Sequence, residues 1–170
     1  MTNFSAFSLS CAVLLLSLLC SFSAHAQQPP SIGQLSNLDL HYMDQQRTSL
    51  DDLARAGLGR QFNASKNHDL ALLQALLDNK LVRGDQKREL QAMGVVMGDL
   101  LAVELNLHWV IYEDPLGRSR ALRYRDTENY LFPMTMISRR REVGNLSTVV
   151  HIYQRAVDLI KPQLPTLPFQ

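Results

Sequence analysis

Apolar residues recur along much of the chain at steps of three and four, the spacing that gathers them on one face of a helix. Leu35, Leu38 and Tyr42 begin such a series. Thr48-Ser49 followed by Asp51-Asp52 predicts a helix start with acids near its positive end, and Gly57 and Gly59 its stop. In "NHDLALLQALLDNKL", Leu70, Leu73, Leu77 and Leu81 share one face, while Ala71 and Ala75 favour the helix. A third helix, capped by Asp85, runs through "QKRELQAMGVVMGDLLAVEL" with Leu90, Met93, Met97, Leu101 and Leu105 in phase. Gly94 and Gly98 lie four apart on it; each costs roughly 1 kcal/mol relative to Ala, which predicts close backbone contact with a neighbouring helix or sheet.

Past Asn106 the period changes to two. Leu107, Trp109 and Ile111 alternate with His108, Val110 and Tyr112, as in a strand rich in aromatic and β-branched residues. Asp114-Pro115-Leu116-Gly117 has the residue types of a type I turn and predicts a hairpin. The return strand "RSRALRYRD" alternates Leu122 and Tyr124 with Arg123 and Arg125, so one face would pack while the other carries charge. "YLFPMTMIS" reads as a third strand, placed at an edge because Pro133 cannot donate to a ladder. "NLSTVVHIYQRAVDLI", capped by Asn145 or Ser147 and ended by Lys161-Pro162, is a helix expected to cover the apolar face of the sheet. These elements predict an α+β domain: N-terminal helices, a three-stranded antiparallel meander, and a C-terminal helix packed on the sheet.

The chain opens with "MTNFSAFSLSCAVLLLSLLCSFSAHA", an apolar core followed by the small-x-small triplet Ala24-His25-Ala26, the pattern of a secretory signal over residues 1–26. The apolar run from Leu9 to Leu19 is shorter than the roughly 20 residues needed to span a bilayer, and no second one follows. Residues 27–34, with Pro29-Pro30, read as a linker, 35–161 as one α+β domain and 162–170 as a Pro-rich tail. Both cysteines, Cys11 and Cys20, fall within the signal, so the mature chain would hold no disulfide, thiolate nucleophile or Cys metal ligand. A periplasmic or secreted location and no transmembrane segment after cleavage are expected.

Charge is unevenly distributed. Residues 27–115 hold eight Lys or Arg against twelve Asp or Glu, whereas residues 116–170 hold nine against four. The basic half includes Arg118, Arg120, Arg123, Arg125, Arg139, Arg140 and Arg141, seven arginines and no lysine within 24 residues. Arginine is the residue whose planar fork grips carboxylates and phosphates, so an anionic partner is one reading of the run. Pairing with Glu113, Asp114, Asp126, Glu128 and Glu142 on a solvated face is the other. Nucleic acid is disfavoured by the exported address and a formal net charge of +1.

Candidate chemistry is sparse. His41, His68, His108 and His151 lack the spacing of metal ligands, no Gly-x-Ser-x-Gly frames a nucleophile, and Gly94 and Gly98 lie on a helix, not in a phosphate loop. No cofactor or metal is expected. Glu113 and Asp114 could serve glycosidic chemistry as paired carboxylates, but adjacent strand residues face opposite ways. Trp109 could be a ligand platform, although its strand position beside Leu107 and Ile111 favours the core.

The segments "DLALLQALLD", "ELQAMGVVMGDLLAVELNLHWVIYEDPLGRSRALRY" and "LFPMTMISRRRE" together resemble the bacterial family known as domain of unknown function 3806. The likeness rests on Gly94, Gly98, Trp109, Glu113, Asp114, Gly117, Pro133, Ser138 and Arg140. It implies a bacterial, hence periplasmic, setting and no transferable activity. The expectation is a small exported module, non-enzymatic, that binds a protein or anionic envelope ligand through Trp109, Glu113, Asp114, Arg123, Arg125, Arg139, Arg140 and Arg141. The alternative is a cell-envelope hydrolase using Glu113 or Asp114, with an arginine to hold substrate.

Overall fold

Ser36 starts the first helix. Its hydroxyl accepts from the Asp39 amide at 3.2 Å while the Asp39 carboxylate accepts from the Ser36 amide at 3.0 Å, a reciprocal cap satisfying two donors that the helix cannot. In the computed structural model, which describes residues 29–164, this helix, α1, runs Asn37–Leu58 and ends at Gly59 in the left-handed region. The break expected at Thr48-Ser49 does not occur. Met43, Gln46, Leu50 and Ala54 keep one buried face continuous across it, and Thr48 and Ser49 lie exposed on the other.

α2 (Lys66–Asp78) buries Leu70, Leu72, Leu73 and Leu76, so its core face lies off the expected line through Leu77 and Leu81, both only partly buried. α3 (Lys87–Leu105) is buried on nearly every side and forms the centre of the molecule. Its N-cap is Gln86, whose side chain accepts from the Arg83 amide and makes no capping bond to the helix, rather than Asp85, and Asn106 closes it in the left-handed region with φ of 52°.

The sheet has four antiparallel strands in the order β1 (Ser31–Gly33), β2 (His108–Asp114), β3 (Gly117–Arg123) and β4 (Tyr130–Leu131). The hairpin β2–β3 forms as expected: Asp114 pairs with Gly117, and the Asp114 carboxylate accepts from the amides of Leu116 and Gly117 at 2.8 and 3.1 Å. Two differences concern the edges. Ser31–Gly33, expected in a linker, pairs with Ile111 to Glu113 and adds a fourth strand. The third strand of the expected meander stops at Leu131, because Pro133 opens the short helix α4 (Pro133–Met136), followed by α5 (Ser138–Glu142). A proline whose φ suits the helix and whose missing N–H is not needed there fits the first helical position better than a strand.

α6 (Val149–Ile160) is capped by Thr148, whose hydroxyl accepts from the His151 amide at 3.3 Å; Asn145 and Ser147 bond to each other instead. A 3-10 turn, Lys161–Gln163, follows. Contrary to expectation, α6 packs mainly against α2 and α3 and meets the sheet through β4. The sheet leans instead on α3 and α4. Gly98 and Asp99 of α3 receive Trp109 of β2, and α4 lies along both α3 and β3. At Gly94 an added Cβ would fall 2.5 Å from the Pro133 carbonyl oxygen and 2.6 Å from Met134 Cα. The two helix glycines therefore serve close approach, as their spacing predicted. The expected signal at 1–26 and most of the Pro-rich tail lie outside the described residues.

Candidate anion-binding cleft

Asp39, in the first turn of α1, is a buried carboxylate. Besides the two donors of Ser36, it receives the Arg118 fork on both oxygens, at 2.9 Å to Oδ1 and 2.6 Å to Oδ2. Arg120 adds a contact of 2.7 Å to Oδ1. Both arginines stand on β3 two residues apart and so project from the same side of the sheet. The Arg118 hydrogen bonds hold the Asp39 carboxyl far below the ordinary carboxylate range against the opposing effect of burial, with Ser36 and Arg120 acting in the same direction as Arg118. Arg120 is further held by Tyr42, whose ring lies 4.3 Å beneath its guanidinium, yet its Nε is buried without a partner.

These groups form one side of a cleft of about 480 Å³ between α1, the hairpin and the α4–α5 segment. Tyr42, Gln91, Arg118, Arg120, Thr135 and Arg139 contribute its polar lining, and Tyr112, Phe132 and Met134 an apolar wall. Tyr112 sits edge-on to Phe132 and Tyr130, with ring centroids 5.2 and 5.1 Å apart. Arg139 is exposed and makes no hydrogen bond or ion pair among the described residues. Two guanidiniums on one carboxylate, with a third unpaired, leave an excess of positive charge, offset in part by Asp114 at the turn. Such an arrangement can hold a small anion by charge-assisted hydrogen bonds.

A family model described as domain of unknown function (DUF3806) matches residues 69–153. The chain belongs to this family. The matched DUF3806 segment carries Arg118, Arg120 and Arg139 but not α1, so Asp39 and Tyr42 come from outside it. No curated protein matches the chain. A crystal structure at 1.50 Å resolution of a protein from Bacteroides thetaiotaomicron VPI-5482 is similar with a TM-score of 0.69 and 18% identity, over 78% of this chain and 48% of that one. At that identity the likeness is one of fold, and this chain spans about half the length of its structural neighbour.

Within this DUF3806 domain the seven clustered arginines do not converge. Arg139 lines the cleft with Arg118 and Arg120, but Arg123 points from the opposite side of β3, its Nε donating to the Thr127 carbonyl at 2.7 Å and its guanidinium lying 5.5 Å from the Tyr130 ring. One greasy and one cationic side is therefore not the pattern: Arg118 and Arg120 share a side with core residue Leu122. Arg125, at φ of 45°, lies 5.3 Å from the Tyr124 ring. Arg140 donates to the Met136 carbonyl at 2.6 Å and Arg141 to that of Ser147 at 3.2 Å, so both tie backbone together.

Trp109 is partly buried, packs against the core and donates from Nε1 to Asp99 at 3.0 Å; Arg47 binds the same carboxylate through Nε and an Nη at 2.7 and 2.9 Å. That network borders a second, largely apolar groove of about 600 Å³ between α1, α2 and α3. Asp114 borders the cleft while Glu113 stands opposite Arg118 outside it, so the two carboxylates do not share a site. Among the described residues no cluster of three or more His, Cys, Asp or Glu could hold a metal, and no helix is long and apolar enough to cross a membrane.

Sequence reasoning missed Asp39, Tyr42, Gln91 and Tyr112. The one signal that could have drawn attention there is the spacing of Ser36 and Asp39, and it points to a helix start rather than a ligand.

Proposed function

We propose that the chain is an exported, periplasmic, non-enzymatic binding module that takes an anionic ligand in the cleft of Arg118, Arg120 and Arg139. One observation carries the reading: two of these arginines are preset on a buried carboxylate and the third lines the same cleft with its guanidinium unengaged among the described residues. Preset donors bind at a lower entropic cost than mobile ones. An envelope hydrolase working through Glu113 and Asp114 finds no support in the geometry, since only Asp114 borders the cleft and its Oδ1 is occupied by two turn amides.

The test is a titration with sodium phosphate at constant ionic strength, followed by amide NMR. Shifts should centre on Arg118 to Arg120, Thr135 and Arg139, and Arg139→Gln should weaken the fitted affinity about tenfold, the equivalent of one charge-assisted hydrogen bond. Shifts spread evenly over the surface, or an affinity indifferent to Arg139, would exclude this cleft as the binding site.

A further inference from the structure

Inorganic anions would use only part of the cleft. Its volume of about 480 Å³ is far larger than a hydrated oxyanion head requires and lies within the 300–1,000 Å³ typical of small-molecule sites. The remaining wall is made of Tyr112, Phe132 and Met134. Tyr112 cannot swing away freely, because Phe132 and Tyr130 brace it edge-on at 5.2 and 5.1 Å. Tyr112 and Phe132 are partly exposed and line the same cleft as the arginines, Tyr112 from the side of the sheet opposite Arg118 and Arg120, across the part of β3 that β4 does not cover.

Asp39 engages both terminal nitrogens of Arg118 and one of Arg120, so the donors these two offer to a ligand are shared with a carboxylate already in place. Among the described residues Arg139 is the one cleft arginine whose guanidinium is wholly unengaged, which suits one carboxylate or phosphate head. An extended acidic segment would need cations repeated along a track, whereas Arg123, Arg125, Arg140 and Arg141 are turned to other partners.

We infer that the ligand is a small amphipathic anion, with one carboxylate or phosphate head on Arg120 and Arg139 and a ring-sized apolar body against Tyr112 and Phe132. This rests on the anion-binding reading of the same cleft and adds the second half of the ligand. Stacking or edge contact with the aromatic wall supplies affinity that no inorganic anion can gain.

The experiment compares phenyl phosphate, inorganic phosphate and hexaglutamate by calorimetry at constant ionic strength. Phenyl phosphate should bind about tenfold more tightly than inorganic phosphate. Tyr112→Leu and Phe132→Leu should remove that advantage while leaving the affinity for inorganic phosphate within about twofold, which also certifies that the variants fold. Should Tyr112→Leu fail to fold, Phe132→Leu carries the same readout. The inference is overturned if phenyl phosphate has no advantage, if the advantage survives in a folded variant, or if hexaglutamate binds more tightly than phenyl phosphate. Phosphate binding without any phenyl advantage overturns this inference alone. Failure of all three to bind removes the anion-binding reading with it.

Discussion

Asp39 has its lone pairs occupied by Ser36 and Arg118, with Arg120 adding an ion pair, and this makes it a positioning group rather than a ligand contact. Replacing it with Asn keeps the shape but leaves two guanidiniums facing a neutral amide. The expected loss is about 2 kcal/mol of stability at neutral pH, the scale of hydrogen bonds to a charged partner, read by denaturant unfolding. Its pH dependence has a definite sign. The folded chain depresses the Asp39 pKa, so below the unfolded-state value of about 4 the unfolded chain binds more protons and stability falls as pH falls. The stability gap between the natural chain and Asp39→Asn should therefore narrow as pH drops from about 5 toward 2; a constant gap would mean that the carboxylate charge contributes nothing. Glu104, held down chiefly by its hydrogen bond from Tyr153 with help from Lys66, adds a slope of the same sign that the substitution leaves in place.

Among the elements, α3 sets the position of the cleft through Gly94, where α4 comes to rest on helix backbone. Gly94→Ala would drive a methyl group into the Pro133 carbonyl and Met134 Cα, atoms that cannot rotate aside, at a cost of about 1–3 kcal/mol that the better helix propensity of Ala only partly offsets. A thermal melt should show the loss, and phosphate affinity should fall with it as Thr135 and Arg139 shift; a variant as stable as the natural chain would show that α4 is free to move. α2, α3, α6 and the hairpin were legible in the sequence because their apolar periods are strong, and the Gly94–Gly98 spacing foretold the contact, whereas α1 was read with a start at Thr48-Ser49 that its continuous buried face does not have. The segment after Leu131 was not, since an apolar run with one proline fits an edge strand or a helix start equally well, and the choice falls to packing against α3. β1 was illegible for a related reason: three residues carry no periodicity, and their pairing depends on β2, far away in the chain. For the site, the arginine cluster was visible as composition, but only the fold brings Arg118 to Asp39, 79 positions earlier, and turns Arg123 away.

For the molecule as a whole, the acidic first part and the basic second part meet at this point. Arg118 and Arg120 from the basic part close on Asp39 from the acidic part, and the cleft opens beside that junction. Other ion pairs, such as Arg55 with Asp51 and Lys66 with Glu104, are substantially exposed and of modest value individually. What holds the fold is the buried apolar cluster that runs from Leu50 and Leu72 through Met97 to Leu131 and Ile152, on which salt has little adverse effect. Binding and stability should therefore respond differently to ionic strength. Raising NaCl from about 0.1 M to about 1 M shortens the screening length from about 10 Å to about 3 Å, which weakens attraction between the exposed Arg139 and an arriving anion while leaving the core unaffected. Phosphate affinity should fall about tenfold or more across that range, whereas the melting temperature should move by only a few degrees. A melting temperature that collapsed in parallel with affinity would place the stability of the whole chain in its ion pairs. An affinity that ignored salt would mean that the guanidiniums are not what the anion meets.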